Sequence, residues 1–121
     1  MKKKTILIAD DEPHILELMK LILNENFNVL TASNGLIVLE IVKKTKPDLI
    51  LLDVMMPGIN GYEICEKLKK DSETKNIIIA MISAKTQEKD IMEGLRLGAD
   101  YYLTKPFDPS VFEKKINQML K

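Results

Sequence analysis

Three aspartates and one lysine stand where runs of apolar residues end, and these residue types could bind a metal ion and a phosphate. Asp10 and Asp11 directly follow one apolar run, Asp53 directly follows another, and Lys105 lies two residues beyond a third. If the runs are neighbouring parallel strands, their carboxyl ends share one edge of the sheet and the charged residues meet there. Like carboxylates that lie close together repel and resist ionisation. A cluster of them beside a cation therefore indicates a metal and phosphate site.

The size and charge of the chain narrow the function classes. A length of 121 residues suits one domain, which we expect to span 1–121. Eighteen basic residues balance eighteen acidic ones, so no overall field attracts nucleic acid or anionic lipid. Any electrostatic function must therefore be local.

The cysteine count and the hydropathy pattern predict a cytoplasmic protein. Cys65 is the only cysteine of the sequence, which excludes an internal disulfide and fits a reducing compartment. Its neighbours in the helical pattern are apolar, so we interpret it as a small buried residue. The apolar run after the basic start is too short for an export signal, and no run is long enough to span a membrane.

Short apolar runs alternate with helical patterns along the whole chain. The predicted strands cover 5–9, 28–32, 49–52, 77–82 and 101–103. The predicted helices cover 13–25, 35 to about 44, 61 to about 70, about 86 to 97, and 109 onward, with Phe112, Ile116, Met119 and Leu120 facing inward. Pro13 suits a first helical turn, and Gly98 suits a helix end. Asp108 suits a helix cap, and Asn34 with Gly35 suits a turn or a cap.

The alternation predicts an α/β fold. Five strand-then-helix units with continuously apolar strands indicate a parallel sheet that helices cover on both faces. Right-handed crossovers then favour a doubly wound α/β sandwich. Ligands of such folds bind beyond the carboxyl ends of the strands, which is where the charged residues lie.

Four segments carry a resemblance to a known family. They are Asp10–Pro13, Asp53–Pro57 followed by Gly61, Ser83–Lys85, and Gly98–Phe107. In this order and spacing, and at these strand ends, the chain resembles the receiver domain of two-component response regulators, of the chemotaxis-regulator kind, along almost its whole length. The resemblance implies a flavodoxin-like sheet of five parallel strands in the order 2-1-3-4-5, with five helices.

The resemblance also implies a chemistry for the acidic residues. Asp53 would accept a phosphoryl group and form an aspartyl phosphate, a known type of covalent intermediate. Mg²⁺, or Mn²⁺ in its place, would be bound by Asp11, by Asp53 and by the backbone carbonyl of Met55. Asp10 would contact the ion mostly through water.

Further residues would bind the phosphate and transmit its presence. By the same resemblance, Lys105 would pair with one phosphoryl oxygen and the Ser83 hydroxyl would donate to another. Ser83 and Tyr102 would then move together and change the surface formed by the fourth helix, fifth strand and fifth helix. The Lys105–Pro106 peptide bond would be cis.

The partners implied are those of a signalling module. A sensor histidine kinase or a phosphotransfer protein would supply the phosphoryl group, and a downstream protein or output domain would read the changed surface. We expect no direct binding to nucleic acid or membrane, and a monomer that dimerises at most on phosphorylation. We expect no enzymatic activity beyond Mg²⁺-dependent phosphorylation of the chain itself and its slow autodephosphorylation. A stand-alone receiver is our expectation, with a fragment of a longer regulator as the alternative.

The aspartyl phosphate that would form on Asp53 is predicted to be long-lived. Met55 and Lys85 lie two residues beyond Asp53 and Ser83, at positions where family members tune the loss of the phosphoryl group. Neither side chain is a carboxylate or amide that could orient an attacking water. We therefore expect slow hydrolysis.

Other interpretations compete with this one. A phosphatase of the haloacid-dehalogenase type needs a second acid where this chain has Met55. A flavodoxin-like cofactor binder needs a phosphate loop rich in Ser, Thr and Gly, whereas the acidic segment after the first strand would repel phosphate. A receiver-like interaction module that works without phosphorylation stays open.

Purely structural roles for the same residues also stay open. Asp10 and Asp11 could simply charge a helix start, Asp53 could end a strand, Lys105 could be a loop lysine, and Ser83 could cap a helix. Tyr102 could be a half-buried strand aromatic. His14, the only histidine, lies in a predicted first helical turn and is interpreted as a solvated side chain.

Overall fold

Five parallel strands form the centre of the molecule. The computed structural model describes residues 3–84 and 87–121. The strands in these ranges are β1 (Thr5–Ala9), β2 (Asn28–Ala32), β3 (Leu49–Asp53), β4 (Ile78–Ser83) and β5 (Tyr101–Thr104). All neighbours pair in parallel in the order β2-β1-β3-β4-β5. The predicted fold class and strand order are confirmed.

Helices cover both faces of the sheet. Within the described ranges they are α1 (Pro13–Leu23), α2 (Gly35–Thr45), α3 (Gly61–Lys70), α4 (Glu88–Arg96) and α5 (Pro109–Met119). Successive strand residues point to opposite faces, so each strand contributes to two apolar cores. The core under α1 and α5 contains Ile6, Ile8, Met19, Leu23, Leu49, Leu51, Ala80, Ile82, Leu103, Phe112 and Ile116. The core under α2 and α3 contains Leu7, Ala9, Val38, Val42, Ile50, Leu52, Ile64, Cys65, Leu68, Ile79 and Met81.

Local signals in the sequence position several helix ends. Pro13 is the first residue of α1. Asn34 caps α2, because its side chain accepts a hydrogen bond from the Ile37 amide, and Asp108 caps α5 through the Ser110 amide. The cap predicted at Asp108 is confirmed, and of the turn or cap predicted at Asn34 the structure shows the cap.

Two predicted boundaries are wrong by one or two residues, and hydrogen bonds explain both. Helix α1 ends at Leu23 and not at Glu25, because the chain turns there: the amides of residues 26 and 27 both donate to the Leu23 carbonyl. Strand β4 covers Ile78–Ser83 and not 77–82. The Ile77 amide still belongs to the preceding turn, while Ser83 pairs with Thr104 of β5.

Other boundaries differ less. Pairing with Ile82 extends β3 to Asp53, so this aspartate is the last residue of its strand. Helix α4 ends at Arg96, one residue before the prediction, and Gly98 follows it with φ of +108°. The predicted start of this helix, at about residue 86, lies outside the described residues.

Cys65 and His14 are found where the sequence predicted them, in the core and in solvent respectively. Cys65 is fully buried, and burial raises the pKa of its thiol to about 11, so it is uncharged at neutral pH. His14 is exposed on α1. Within residues 3–84 and 87–121, no helix combines the length and apolar composition that crossing a bilayer requires.

Candidate functional site

The strands deliver the predicted site residues to one edge of the sheet. Asp53 and Ser83 are the last residues of β3 and β4, Asp10 directly follows β1, and Lys105 directly follows β5. An open crevice of roughly 500 Å³ lies at this edge. Its lining consists of Asp11, Glu12, Asp53, Met55, Ser83, Ala84 and Lys105.

The ammonium group of Lys105 is the centre of the cluster. Its Nζ lies 2.7 Å from Asp10 Oδ2 and 3.1 Å from Asp53 Oδ2, and a third carboxylate oxygen, Glu12 Oε1, lies at 3.6 Å. Only 11% of the lysine side chain is exposed. Three strands thus bring one buried cation between two buried carboxylates, and this cation compensates their charge.

Asp53 is nearly buried but keeps hydrogen bonds on both carboxylate oxygens. Its Oδ1 accepts from the Met55 backbone amide at 3.0 Å, and its Oδ2 accepts from Lys105. Burial raises the pKa of Asp53, the Met55 hydrogen bond lowers it, Asp10 raises it and Lys105 lowers it, with a net rise above the ordinary value.

For Lys105, burial affects the pKa less than the contacts with the two carboxylates do together. Burial by itself lowers the pKa of Lys105, but its hydrogen bonds to Asp10 and Asp53 and their negative charges outweigh burial and raise it. The ammonium group is therefore charged throughout the neutral pH range.

Asp10 uses both of its carboxylate oxygens within the fold. It is fully buried, its Oδ1 accepts from the Glu12 amide at 2.9 Å, and its Oδ2 accepts from Lys105. Asp11, in contrast, is exposed at the crevice. The two neighbouring aspartates thus occupy different environments: Asp10 is fixed by the fold, and Asp11 is available to a ligand.

The acidic segment after β1 has a donor set that suits a hard cation. Carboxylate oxygens of Asp10, Asp11 and Glu12 lie within 4.8 Å of one another. Divalent ions such as Mg²⁺ and Mn²⁺ prefer oxygen ligands of this kind. The all-oxygen donors and the open crevice beside them fit such an ion.

The two predicted switch residues occupy different places. Ser83 is buried and lines the crevice, and its carbonyl accepts from the Lys105 amide at 2.8 Å. The peptide bond between Lys105 and Pro106 is cis, as the resemblance implied. Tyr102 is not among the residues that line the crevice; it is half-buried, and its ring packs on Gly94 of α4. Lys85 lies outside the described residues.

Sequence reasoning gave no role to Glu12, although the structure places it at the site. Its carboxylate lies near Lys105 and belongs to the acidic cluster. Its position directly after two aspartates at a strand end was the available signal.

The geometry agrees with what comparison of the sequence with known proteins shows. A family model described as the response regulator receiver domain matches residues 6–117. The chain belongs to the response regulator receiver family. Receiver domains are signalling modules of two-component systems.

Individual relatives support the assignment of this receiver domain. This chain is 41% identical to the phosphate regulon transcriptional regulatory protein PhoB of Pseudomonas aeruginosa, and the match covers 100% of this chain and 53% of that protein. It is 37% identical to the DNA-binding response regulator MtrA of Mycolicibacterium smegmatis, over 98% of this chain and 51% of that one. The solved structure of the chemotaxis response regulator CheY4 of Vibrio cholerae superimposes with a TM-score of 0.92 at 28% identity, covering 98% and 99% of the two chains.

The receiver domain spans about half the length of the full-length curated regulators that it matches. The similarity to those proteins therefore concerns their receiver halves.

The raised pKa of Asp53 predicts a pH-dependent gain in stability for the variant Asp53→Asn. The folded chain binds the Asp53 proton more tightly than the unfolded chain does, so ionisation of this group at neutral pH costs stability. Asparagine is not charged, and we therefore expect it to raise the free energy of unfolding at pH 7.

The pH dependence of this gain has a defined direction. The gain is absent below the ordinary aspartate pKa of 3.8 and grows as the pH rises through the higher folded pKa. Urea unfolding of both proteins between pH 3.5 and about 7.5, with a chelator present, measures it. A variant less stable than the parent at pH 7 would contradict the prediction.

Proposed function

We propose that this receiver domain accepts a phosphoryl group on Asp53 from a phosphohistidine of a sensor histidine kinase or phosphotransfer protein. One observation carries the proposal. The Asp53 carboxylate ends a central strand, is oriented by the Met55 amide and Lys105, and lines an open crevice. A strand-end carboxylate in such a setting is a suitable nucleophile.

The transfer is a displacement at phosphorus. An Asp53 carboxylate oxygen forms the new P–O bond while the P–N bond to histidine breaks, and the histidine ring leaves with its electron pair and is protonated. Lys105 pairs with one oxygen of the transferred group, and the Ser83 hydroxyl donates to another. Because phosphoryl transfer depends mainly on positioning and charge compensation, fixed donors of this kind are what the reaction needs.

A divalent cation completes the charge balance of this proposal. Asp11, Asp53 and the backbone carbonyl of Met55 would bind Mg²⁺ or Mn²⁺ directly. Asp10 is fully buried and is not among the residues that line the crevice, unlike Asp11 and Asp53, which favours an indirect role for it. When bound, the ion supplies positive charge that reduces repulsion between the incoming phosphate and the carboxylates.

Phosphorylation would be read at the surface of α4, β5 and α5. Ser83 would move toward the phosphoryl group and Tyr102 would move inward, so the occupied site biases a two-state element. A downstream protein or an output domain would bind that surface. We further propose that residues 1–121 form one domain, that it works in the cytoplasm, and that it is a monomer until phosphorylation.

The test is phosphorylation by a small donor. We expect incubation with acetyl phosphate and Mg²⁺ to increase the intact mass by one phosphoryl group, and a chelator or Asp53→Asn to abolish the increase. Asp48→Asn is the matched control, because Asp48 lies at the opposite end of β3, where it accepts from the Thr5 amide. Absence of any mass gain in the parent protein would favour the interaction module that works without phosphorylation.

Slow loss of the phosphate is a separate prediction. Met55 lines the crevice with 59% of its surface exposed and offers no group that orients water toward the phosphorus. We expect Met55→Asn, alone or with Lys85→Glu, to speed hydrolysis about tenfold, which is less than the roughly hundredfold or more that a positioned general acid or base contributes. The decay of the phosphorylated mass after donor removal measures the rate, and Met92→Asn, at an exposed position of α4, is the control. An unchanged decay would reject the prediction.

A further inference from the structure

Two tyrosine rings from different elements converge on one glycine of α4. A Cβ placed on Gly94 would lie 3.1 Å from Cδ2 of Tyr102 in β5 and 3.5 Å from Cε1 of Tyr62 in α3. The rings therefore occupy the space that a side chain at this position would need. Glycine in the middle of a helix costs about 1 kcal/mol relative to alanine, and close packing of the two rings explains its presence.

Helix α4 has little else to fix its position. Among its described residues, Gly94 alone is buried, whereas α1, α2, α3 and α5 each bury at least two larger apolar side chains. Met92 and Leu95 of α4 expose 61% and 48% of their surface. The tyrosines of neighbouring elements thus supply the apolar contact that the helix itself lacks.

Tyr62 adds a polar contact to this packing. Its hydroxyl donates to the backbone carbonyl of Asp90 at 3.0 Å, one turn before Gly94. Burial, followed by a hydrogen bond with Tyr102, raises the pKa of Tyr62, so the hydroxyl stays protonated and able to donate. One side chain thereby contacts α4 at two successive turns and also forms a hydrogen bond with Tyr102.

We propose that Tyr62 is the positioning residue of α4: its ring and hydroxyl keep the helix docked on β5 and determine where the Tyr102 ring can lie. The docking itself is a property of the unphosphorylated chain. Its consequence for signalling rests on the proposed function, because α4 and Tyr102 belong to the surface that phosphorylation would change.

Amide hydrogen exchange of the unphosphorylated protein tests the docking directly. Tyr62→Phe keeps the ring and removes the hydroxyl with its hydrogen bonds to Asp90 and Tyr102, so we expect amides of α4 to exchange about fivefold faster. Tyr62→Leu removes the ring as well and should produce a larger increase. Tyr101→Phe is the matched control, since Tyr101 lies beside Tyr102 in sequence but is exposed. Amides of α1 should be unchanged in all three variants.

Two further outcomes decide the proposal. If α4 exchanges in Tyr62→Phe at the rate of the parent protein, or if α1 is accelerated equally, Tyr62 does not position α4 and the proposal is overturned. If Tyr62→Leu does not fold, Tyr62→Phe still gives the answer, because it preserves the packing.

Gly94→Ala provides an independent readout of the same contact. The added methyl group should displace the Tyr102 ring and offset the gain in helix propensity. Gly94→Ala should therefore raise the free energy of unfolding only in a chain that also carries Tyr102→Leu. Equal effects of Gly94→Ala with and without Tyr102→Leu would contradict the packing argument.

The experiment also separates failure of this inference from failure of the proposed function. Acetyl phosphate labelling of the parent protein reports on Asp53 regardless of Tyr62. If α4 amides exchange faster in Tyr62→Phe but acetyl phosphate never labels the parent protein, Tyr62 still positions α4. Its link to phosphorylation is then removed. Labelling of the parent with unchanged α4 exchange in Tyr62→Phe would remove the positioning role alone.

Discussion

Lys105→Met is expected to lower the free energy of unfolding by about 3 kcal/mol, because it leaves two buried carboxylates without their cation. Asp10 is fully buried and Asp53 is 4% exposed, and Lys105 contacts both. Methionine replaces the stem of the lysine but not its charge. Urea unfolding at pH 7 in the presence of a chelator measures the change. An unchanged slope of the free energy of unfolding against urea concentration shows that both proteins undergo the same unfolding transition.

The cause of this loss can be isolated with a second substitution. Asn at position 53 removes one of the two carboxylates, so the double variant Asp53→Asn/Lys105→Met should lose less stability than the sum of the single changes predicts. Lowering the pH protonates the carboxylates and should reduce the cost in the same way. If Lys105→Met is as stable as the parent protein at pH 7, the contacts of Lys105 do not compensate the buried charges.

The raised pKa of Lys105 also fixes the pH range of its contribution in the parent protein. The stabilisation is fully present below the ordinary lysine value of 10.5 and is lost only as the pH rises through the higher folded value. The difference between the parent and Lys105→Met should therefore narrow in alkaline as well as acidic solution. The same substitution should slow labelling by acetyl phosphate, since one cation then no longer faces the phosphoryl group.

The sheet edge was the most predictable part of the site, and the reason is geometric. Parallel strands align their carboxyl ends, so charged residues directly after apolar runs must meet, whatever the details of the loops. Asp53, Ser83 and Lys105 lie at this edge for that reason alone. The assignment of individual contacts was beyond the sequence, because hydrogen bonds depend on side-chain directions that no periodicity encodes. That Lys105 lies closer to Asp10 than to Asp53 is such a detail.

Contacts between distant elements were the least predictable. Tyr62, Gly94 and Tyr102 come from three elements, and each fits its own element without reference to the others. Lys69 is a second example. Lysines gather late in α3, and from the sequence alone we interpret Lys69 as a solvated side chain. Its Nζ nevertheless lies 2.8 Å from both Asp100 Oδ2 and the Ile77 carbonyl oxygen. Only 16% of the Lys69 side chain is exposed, so that interpretation was wrong for this residue.

Gly61→Ala is expected to damage the site through the backbone of Asp53. Gly61 is the first residue of α3, and its amide donates to the Val54 carbonyl, which brings the two chain segments into contact. A Cβ here would clash with the Asp53 carbonyl oxygen and lie 2.9 Å from the Val54 Cα. Both are backbone atoms, which cannot turn away as a flexible side chain would. We expect a loss of about 3 kcal/mol in stability, at the upper end of what overpacking costs.

The same clash should also slow the chemistry. Displacing Asp53 by a fraction of an ångström changes its position relative to Lys105, and misplacement of a reacting group costs on the order of tenfold to a hundredfold in rate. Gly58→Ala is the matched control: its φ of +81° strains alanine by about 1 kcal/mol, but its surroundings are open and Asp53 is not touched. Labelling by acetyl phosphate at saturating Mg²⁺ should therefore slow in Gly61→Ala and not in Gly58→Ala. Equal rates in both variants would show that the Gly61 contact supports stability without positioning the acceptor.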